Sequence, residues 1–170
     1  MSLRLILTVS GSDRPGLTQA VAVAIFDAGG NWLESHLSRL GGMYVGSVLV
    51  EIAPDAAAQL EKTVQAIDTE GLTVALAPAG DEAPPTGDPL LIELVGQDRP
   101  GIVAELTKLL ARLEVNIEEL DTEVENGAWS GELLFRGKVR AHVPHSTDCE
   151  RVRAALETIS GDMMVDFTFE

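Results

Sequence analysis

Apolar positions along the chain follow two textures, each of which appears twice. Leu3–Val9 and Leu90–Val95 are short apolar runs closed by glycine, as expected of buried strands. Behind each run the spacing opens. Leu17, Val21, Ala24, Ile25 and Ala28 recur on one helical face, as do Ile102, Leu106, Leu109, Leu110 and Leu113. Pro15 and Pro100 stand where the first helical turn is expected, and Gly29-Gly30 stops the first helix. Two strands follow in each half, joined at Gly41-Gly42 and at Asn126-Gly127, both hairpin signals. Second helices are predicted over about Asp55–Glu70 and Ser146–Ser160, and closing strands over Leu72–Ala77 and Met163–Phe169.

The halves are one unit written twice. Gly11-Ser-Asp-Arg-Pro-Gly16 returns 85 residues later as Gly96-Gln-Asp-Arg-Pro-Gly101, and Asn116 follows Asn31 at the same interval. Leu5–Val9 aligns with Leu90–Leu94 in that register. Ala77–Pro89 holds four prolines and two glycines in 13 residues and reads as a linker. The expected domains are residues 1–78 and 89–170, with the linker at 79–88. Each unit has the order βαββαβ. With right-handed crossovers this folds as a four-stranded antiparallel sheet with both helices on one face. The expected class is α+β, a ferredoxin-like plait made twice.

Composition narrows the function. The chain has 170 residues, 45% of them apolar, and carries 12 basic against 27 acidic side chains, a net charge of −15. That apolar share argues against global disorder. No run of about 18 apolar residues is present, so no membrane span is expected. The N-terminal residues lack the long apolar run and cleavage site of a secretory leader. A single cysteine, Cys149, excludes an internal disulfide framework and fits a reducing, cytoplasmic compartment. So acidic a chain has no electrostatic footprint for a phosphate backbone, and direct nucleic-acid binding is not expected.

The repeated Gly-x-x-x-x-Gly segment follows a strand and opens a helix, as half of a Walker A loop would. Leu17-Thr18 and Ile102-Val103 stand where Lys-Ser/Thr is needed, so nucleotide hydrolysis is not expected. What remains is a helix N-terminus that favours a small anion such as a carboxylate, with a glycine that lets it approach the backbone. Asp13 and Asp98 are expected to cap their helices; a ligand role on top of capping stays open. Asn31 and Asn116 each follow the loop's last glycine by 15 residues. An amide suits a zwitterionic amino acid, and it also suits a plain turn; both readings stand.

Catalysis finds no constellation. His36, His142 and His145 have no metal-ligand spacing, no Gly-x-Ser-x-Gly elbow is present, and neither cofactor nor metal is expected. His142 is expected within a charged ladder and His145 in the turn before the last helix. Cys149 falls near a helix start, which can lower a thiol pKa, although an inert thiol is the commoner case. Glu119, Asp121, Glu123 and Glu125 alternate along one strand, and Arg136, Lys138 and Arg140 along the next. Pairing across an Asn126-Gly127 turn places both sets on one face, away from Leu133, Phe135, Val139, Ala141 and Val143. That predicts a cross-strand ladder on a solvated face, with a partner surface as the other reading.

A strand, then Asp-Arg-Pro-Gly, a helix, an asparagine and the βαββαβ order resemble the ACT domains, small-molecule sensing modules of amino-acid metabolism. The resemblance covers nearly the whole chain outside the linker. Asp-Arg-Pro-Gly also begins ACT units of some phosphoserine phosphatases and formyltetrahydrofolate hydrolases, but those catalytic domains have no counterpart here. Two such units, with Arg39-Leu-Gly-Gly42 after the second strand, resemble the tandem ACT regulators that repress glycine cleavage. The resemblance implies ligand contact at Asp13, Arg14, Gly16 and Asn31, and at Asp98, Arg99, Gly101 and Asn116. It implies a small amino acid, glycine or serine, and action through a DNA-binding transcription factor. The loops differ at Ser12 and Gln97, so the two sites need not be equivalent.

The expected function is a non-enzymatic amino-acid sensor with repressor-type control through a protein partner. The alternative is a subunit that regulates a metabolic enzyme directly, with the motif purely structural. A homodimer is compatible with either. Residues 1–80 hold 4 basic and 8 acidic side chains, a sum of −4, and residues 81–170 hold 8 and 19, a sum of −11. An electrostatically recruited partner would therefore be basic and dock on the second half.

Overall fold

The computed structural model describes residues 2–67, 71–80, 86–127, 132–159 and 163–169. The chain divides into two compact units, Met1–Glu82 and Ala83–Glu170. The first runs β1 (Leu3–Ser12), α1 (Leu17–Asp27), β2 (Asn31–Leu40), β3 (Met43–Ile52), α2 (Ala57–Ile67) and β4 (Leu72–Pro78). The second runs β5 (Asp88–Gln97), α3 (Ile102–Arg112), β6 (Asn116–Asn126), β7 (Leu133–Val143), α4 (Cys149–Ile159) and β8 (Met163–Phe169). The sheets have strand orders β2-β3-β1-β4 and β6-β7-β5-β8, antiparallel throughout. These are the two ferredoxin-like plaits expected. The predicted helix ends at residues 68–70 and 160, and linker residues 81–85, lie outside the described residues.

Alternation along each central strand builds the core. Leu5, Leu7 and Val9 of β1 meet Val50 and Val48 of β3 and are covered by Leu17, Val21 and Ile25 of α1 and Leu60 and Val64 of α2. The second unit repeats this with Leu90, Ile92 and Leu94 under Ile102, Leu106 and Leu110 of α3 and Val152 and Leu156 of α4. Burying each such side chain contributes about 1.5–3 kcal/mol. No buried residue among those described is polar or charged.

Both hairpins form, by different turns. Leu40 pairs with Met43 across Gly41-Gly42, whose φ values of 58° and 84° are those of a two-residue primed turn. In the second unit Asn126 pairs with Leu133, and the Gly127 N–H donates to the Glu132 carbonyl at 2.8 Å. The expected tight turn at Asn126-Gly127 is therefore corrected: the pairing continues past it to Gly127 and Glu132, and residues 128–131 lie outside those described. Leu133 is also corrected. It has the parity of the core but lies at the hairpin end of the ladder, opposite Asn126, and is 49% exposed.

The helix ends show what the duplication kept. Gly29 (φ 73°) ends α1, with the Gly30 N–H on the Ile25 carbonyl and the Gly29 N–H on the Phe26 carbonyl, both at 2.9 Å. The second unit makes the same pair, Val115 to Leu110 at 3.0 Å and Glu114 to Ala111 at 3.1 Å. There the left-handed position falls on Glu114 (φ 58°), a non-glycine, and its carboxylate sits at the negative end of the helix dipole. Glu114→Gly should stabilise the protein by about 0.5–1 kcal/mol, part of the relief being offset by the freer unfolded chain. The check is a higher urea midpoint at unchanged m-value; an unchanged or lower midpoint would refute it.

Candidate functional site

Each Asp-Arg-Pro-Gly loop joins the end of a central strand to a helix. α1 begins at Leu17 and α3 at Ile102, and both first residues are buried and anchor the helix starts in the core. The residue before each helix is the glycine, with φ 93° at Gly16 and 98° at Gly101. A side chain there would sit in the left-handed region, so glycine is required by backbone conformation. This corrects two expectations. The helices start after the prolines, not at them. Asp13 and Asp98 do not cap either helix, because neither N-terminus receives a side-chain hydrogen bond. The reason is position: a capping oxygen reaches N–H groups two or three residues on from the cap itself, and Pro-Gly holds the aspartate too far back. Asp13 instead meets Arg39 Nε, near the hairpin turn, at 3.1 Å. The helix starts keep their dipole ends and their first-turn N–H groups facing the loop.

Arg99 grips Glu105 with both arms of its guanidinium, Nη1 to Oε1 at 2.8 Å and Nη2 to Oε2 at 2.7 Å. That hydrogen bonding holds the Glu105 carboxyl below its usual pKa range, against a smaller opposing effect of desolvation. Eighty-five positions earlier stands Ala20, so α1 offers no such carboxylate.

Asn31 and Asn116 are the first residues of β2 and β6, at the far ends of α1 and α3 from the loops, and both are exposed. A helix of 11 residues spans about 16 Å, so one amino acid cannot touch the loop and the asparagine of the same unit. A groove of about 440 Å³ runs along α1 from Thr18 past Ala22, Ile25 and Phe26 to Asn31 and Trp32. At its upper end the Thr18 hydroxyl shares a 2.8 Å hydrogen bond with the Tyr44 hydroxyl.

The charged stripes share one face, as parity requires. Backbone register sets Glu119 opposite Arg140, Asp121 opposite Lys138 and Glu123 opposite Arg136. The side chains pair Arg140 with Glu119, Arg136 diagonally with Glu125, and Lys138 with Glu93 of β5 at 3.7 Å. A depression of about 530 Å³ lies among them. Its two bases are thus already matched, and such exposed pairs contribute little stability.

His142 is 16% exposed and its Nδ1 lies 3.2 Å from Glu118 Oε1. No hydrogen bond forms, because the geometry is misaligned despite the short distance. Glu118 reaches it through a bulge between Ile117 and Glu119, repeated 85 residues earlier between Trp32 and Glu34. His145 approaches Asp88 at 3.7 Å. The possible activation of Cys149 is corrected: burial, with Asp88, Asp148 and Glu150 around it, pushes the thiol pKa up, away from a reactive thiolate. Among the described residues no group of three or more His, Cys, Asp or Glu could hold a metal ion, and no helix is long and apolar enough to cross a membrane.

Sequence reading missed the Glu105 clamp, the Thr18–Tyr44 bond and the re-aimed Glu118. Glu105 had a usable signal, an acid in the first turn of a helix six residues after an arginine. The bulge left a trace as well, because skipping one residue moves the inward parity from Ile117 to Leu120.

Comparison with known proteins agrees with this geometry. The ACT domain family model matches residues 4–76 and again 88–170. The glycine cleavage system transcriptional repressor of Escherichia coli (strain K12) is 22% identical over 161 residues, covering 94% of this chain and 85% of its own length. The protein of that name from Shigella flexneri gives the same figures. Among solved structures, an unknown protein from Galdieria sulphuraria superposes with a TM-score of 0.87 at 24% identity, covering 100% of this chain and 99% of its own. A structure provisionally named a glycine cleavage system transcriptional repressor superposes at 0.73 with 16% identity, over 100% and 98%. These structural likenesses concern the fold. The chain belongs to the ACT domain family, with one ACT unit in each half.

Proposed function

We propose that the protein is a non-enzymatic, cytoplasmic amino-acid sensor with repressor-type control of glycine cleavage, exerted through a DNA-binding protein partner. The observation that carries the reading is the duplicated loop: a helix N-terminus without a side-chain cap, opened by a left-handed glycine and flanked by an arginine. A carboxylate fits there, held by first-turn N–H groups and by the Arg14 or Arg99 guanidinium. Above Gly16 no atom lies within 4 Å of where a side chain would begin, so a ligand can approach the backbone. Asp13, Arg14 and Gly16 form the first candidate site, and Asp98, Arg99 and Gly101 the second. Asn31 and Asn116 lie out of reach of their own loops, so neither completes the site at the loop of its own unit. Glycine or serine is the first choice of ligand, by likeness to the named repressors.

Ligand shifts partner affinity only if it binds the two states of the protein unequally. The −15 net charge disfavours direct contact with DNA and favours a basic partner. The acidic β6 strand of the second unit is its proposed docking edge.

Calorimetric titration with each of the twenty amino acids should find at least one binder. Arg14→Ala should weaken that binding by about tenfold or more, the worth of a charge-assisted hydrogen bond. Silence of the folded protein across all twenty would end the sensing reading.

A further inference from the structure

In the strand order β6-β7-β5-β8, β6 has a neighbour on one side only. Within its sheet the main-chain N–H and C=O groups of its other side have no strand to pair with. From Leu120 to Asn126 every residue of β6 is exposed. The two faces of the strand differ in chemistry. Glu119, Asp121, Glu123 and Glu125 point to the open face of the sheet, where β7 supplies Arg136, Lys138 and Arg140. Those bases do not match the acids one for one. Arg140 takes Glu119, Arg136 takes Glu125, and Lys138 turns away to Glu93, so Asp121 and Glu123 form no ion pair among the described residues. On the other face Leu120 and Val124 stand opposite Val139 and Phe135 of β7. Val139 and Phe135 are buried, but Leu120 and Val124 are 36% and 51% exposed, so the apolar layer ends uncovered at its β6 margin.

Resting on the reading of β6 as the docking edge for a basic partner, we propose that the partner docks by strand addition: an extended segment alternating Lys or Arg with apolar side chains pairs with the open edge of β6 and becomes the fifth strand of the second sheet. Its main chain takes up the hydrogen bonds that the edge offers. Its bases lie over Asp121 and Glu123 and its apolar side chains over Leu120 and Val124, because side chains alternate between faces along a strand. The neighbour on the paired side shows that β6 accepts such a strand. β7 carries Arg136, Lys138 and Arg140 exposed on one face and Phe135, Val139 and Ala141 buried on the other. A second copy of this chain is the wrong occupant. β6 against β6 sets carboxylates beside carboxylates, which destabilises a strand pair. The other edge strands, β2, β4 and β8, hold a single Lys or Arg between them, Arg39, and it is engaged by Asp13. The acids that admit a basic strand therefore turn away the chain's own edges.

The probe is a synthetic peptide of 11 residues, the length of β6, alternating Lys and Val. It is titrated into the full chain beside two controls. One has the same composition with all its lysines ahead of all its valines. The other is the alternating peptide N-methylated throughout, which keeps the charges and cannot donate main-chain hydrogen bonds. The alternating peptide should bind about tenfold or more tightly than either control, slow amide exchange across Leu120–Glu125, and weaken as salt is raised. Asp121→Asn combined with Glu123→Gln removes the two charges and keeps the shapes. That variant should bind the peptide about tenfold or more weakly, with an unchanged circular dichroism spectrum. Equal binding of either control would overturn strand addition while leaving β6 as a charged docking surface. Exchange slowed at another edge, or unchanged affinity in the charge-neutral variant, would overturn β6 as the place. Failure of the folded wild type to bind any of the peptides would overturn the docking edge and strand addition together. Amino-acid binding, read by calorimetry, is independent of all these outcomes.

Discussion

Leu7 and Ile92 are wholly buried for the same reason: a four-stranded sheet has one face to hide and two helices to hide it under. Everything else in each unit depends on that apolar layer. It sets which alternate residues of the central strands point inward, and so which point out. On β7 the inward set is Phe135, Val139, Ala141 and Val143, which leaves Arg136, Lys138 and Arg140 no choice but the solvated face. A one-residue slip would bury the charges and expose the core, an exchange costing many kcal/mol. The ion pairs on that face are consequences of the register, not its cause.

The same layer holds the loops in place. Leu17 and Ile102 are the first helical residues and are buried, so each helix start is pinned directly after a left-handed position that glycine adopts without steric cost. This constraint survived duplication in both units. The chemistry around it did not. Asp13 reaches Arg39 in one unit, while in the other Arg99 takes hold of Glu105. Side chains at an exposed loop are free to change as long as the backbone beneath them is kept.

The helix ends tell a related story. Gly29 and Glu114 adopt the same left-handed conformation with the same two backbone hydrogen bonds, although only one is a glycine. Tertiary packing imposed the geometry and the sequence tolerated its cost. The bulges before Glu34 and Glu119 are equally shared, and in the second unit the bulge delivers Glu118 to His142. Duplication copied the backbone's irregularities along with its regular elements.

The amino-acid sequence by itself determined the number of units, the order of their elements, the inward faces and the place of the two loops. Those follow from periodicity, from Gly and Pro punctuation and from an 85-residue repeat, all properties of neighbours along the chain. Tertiary structure alone decided that Asp13 and Asp98 leave the helix starts uncapped, that Asn31 and Asn116 stand a helix length from the loops, and that Arg99 is clasped by Glu105. It also decided that the second hairpin runs past Asn126-Gly127. Each of these turns on a shift of one to four residues in where a helix begins or a ladder ends. Sequence pattern is degenerate at that scale, and only the packed backbone chooses.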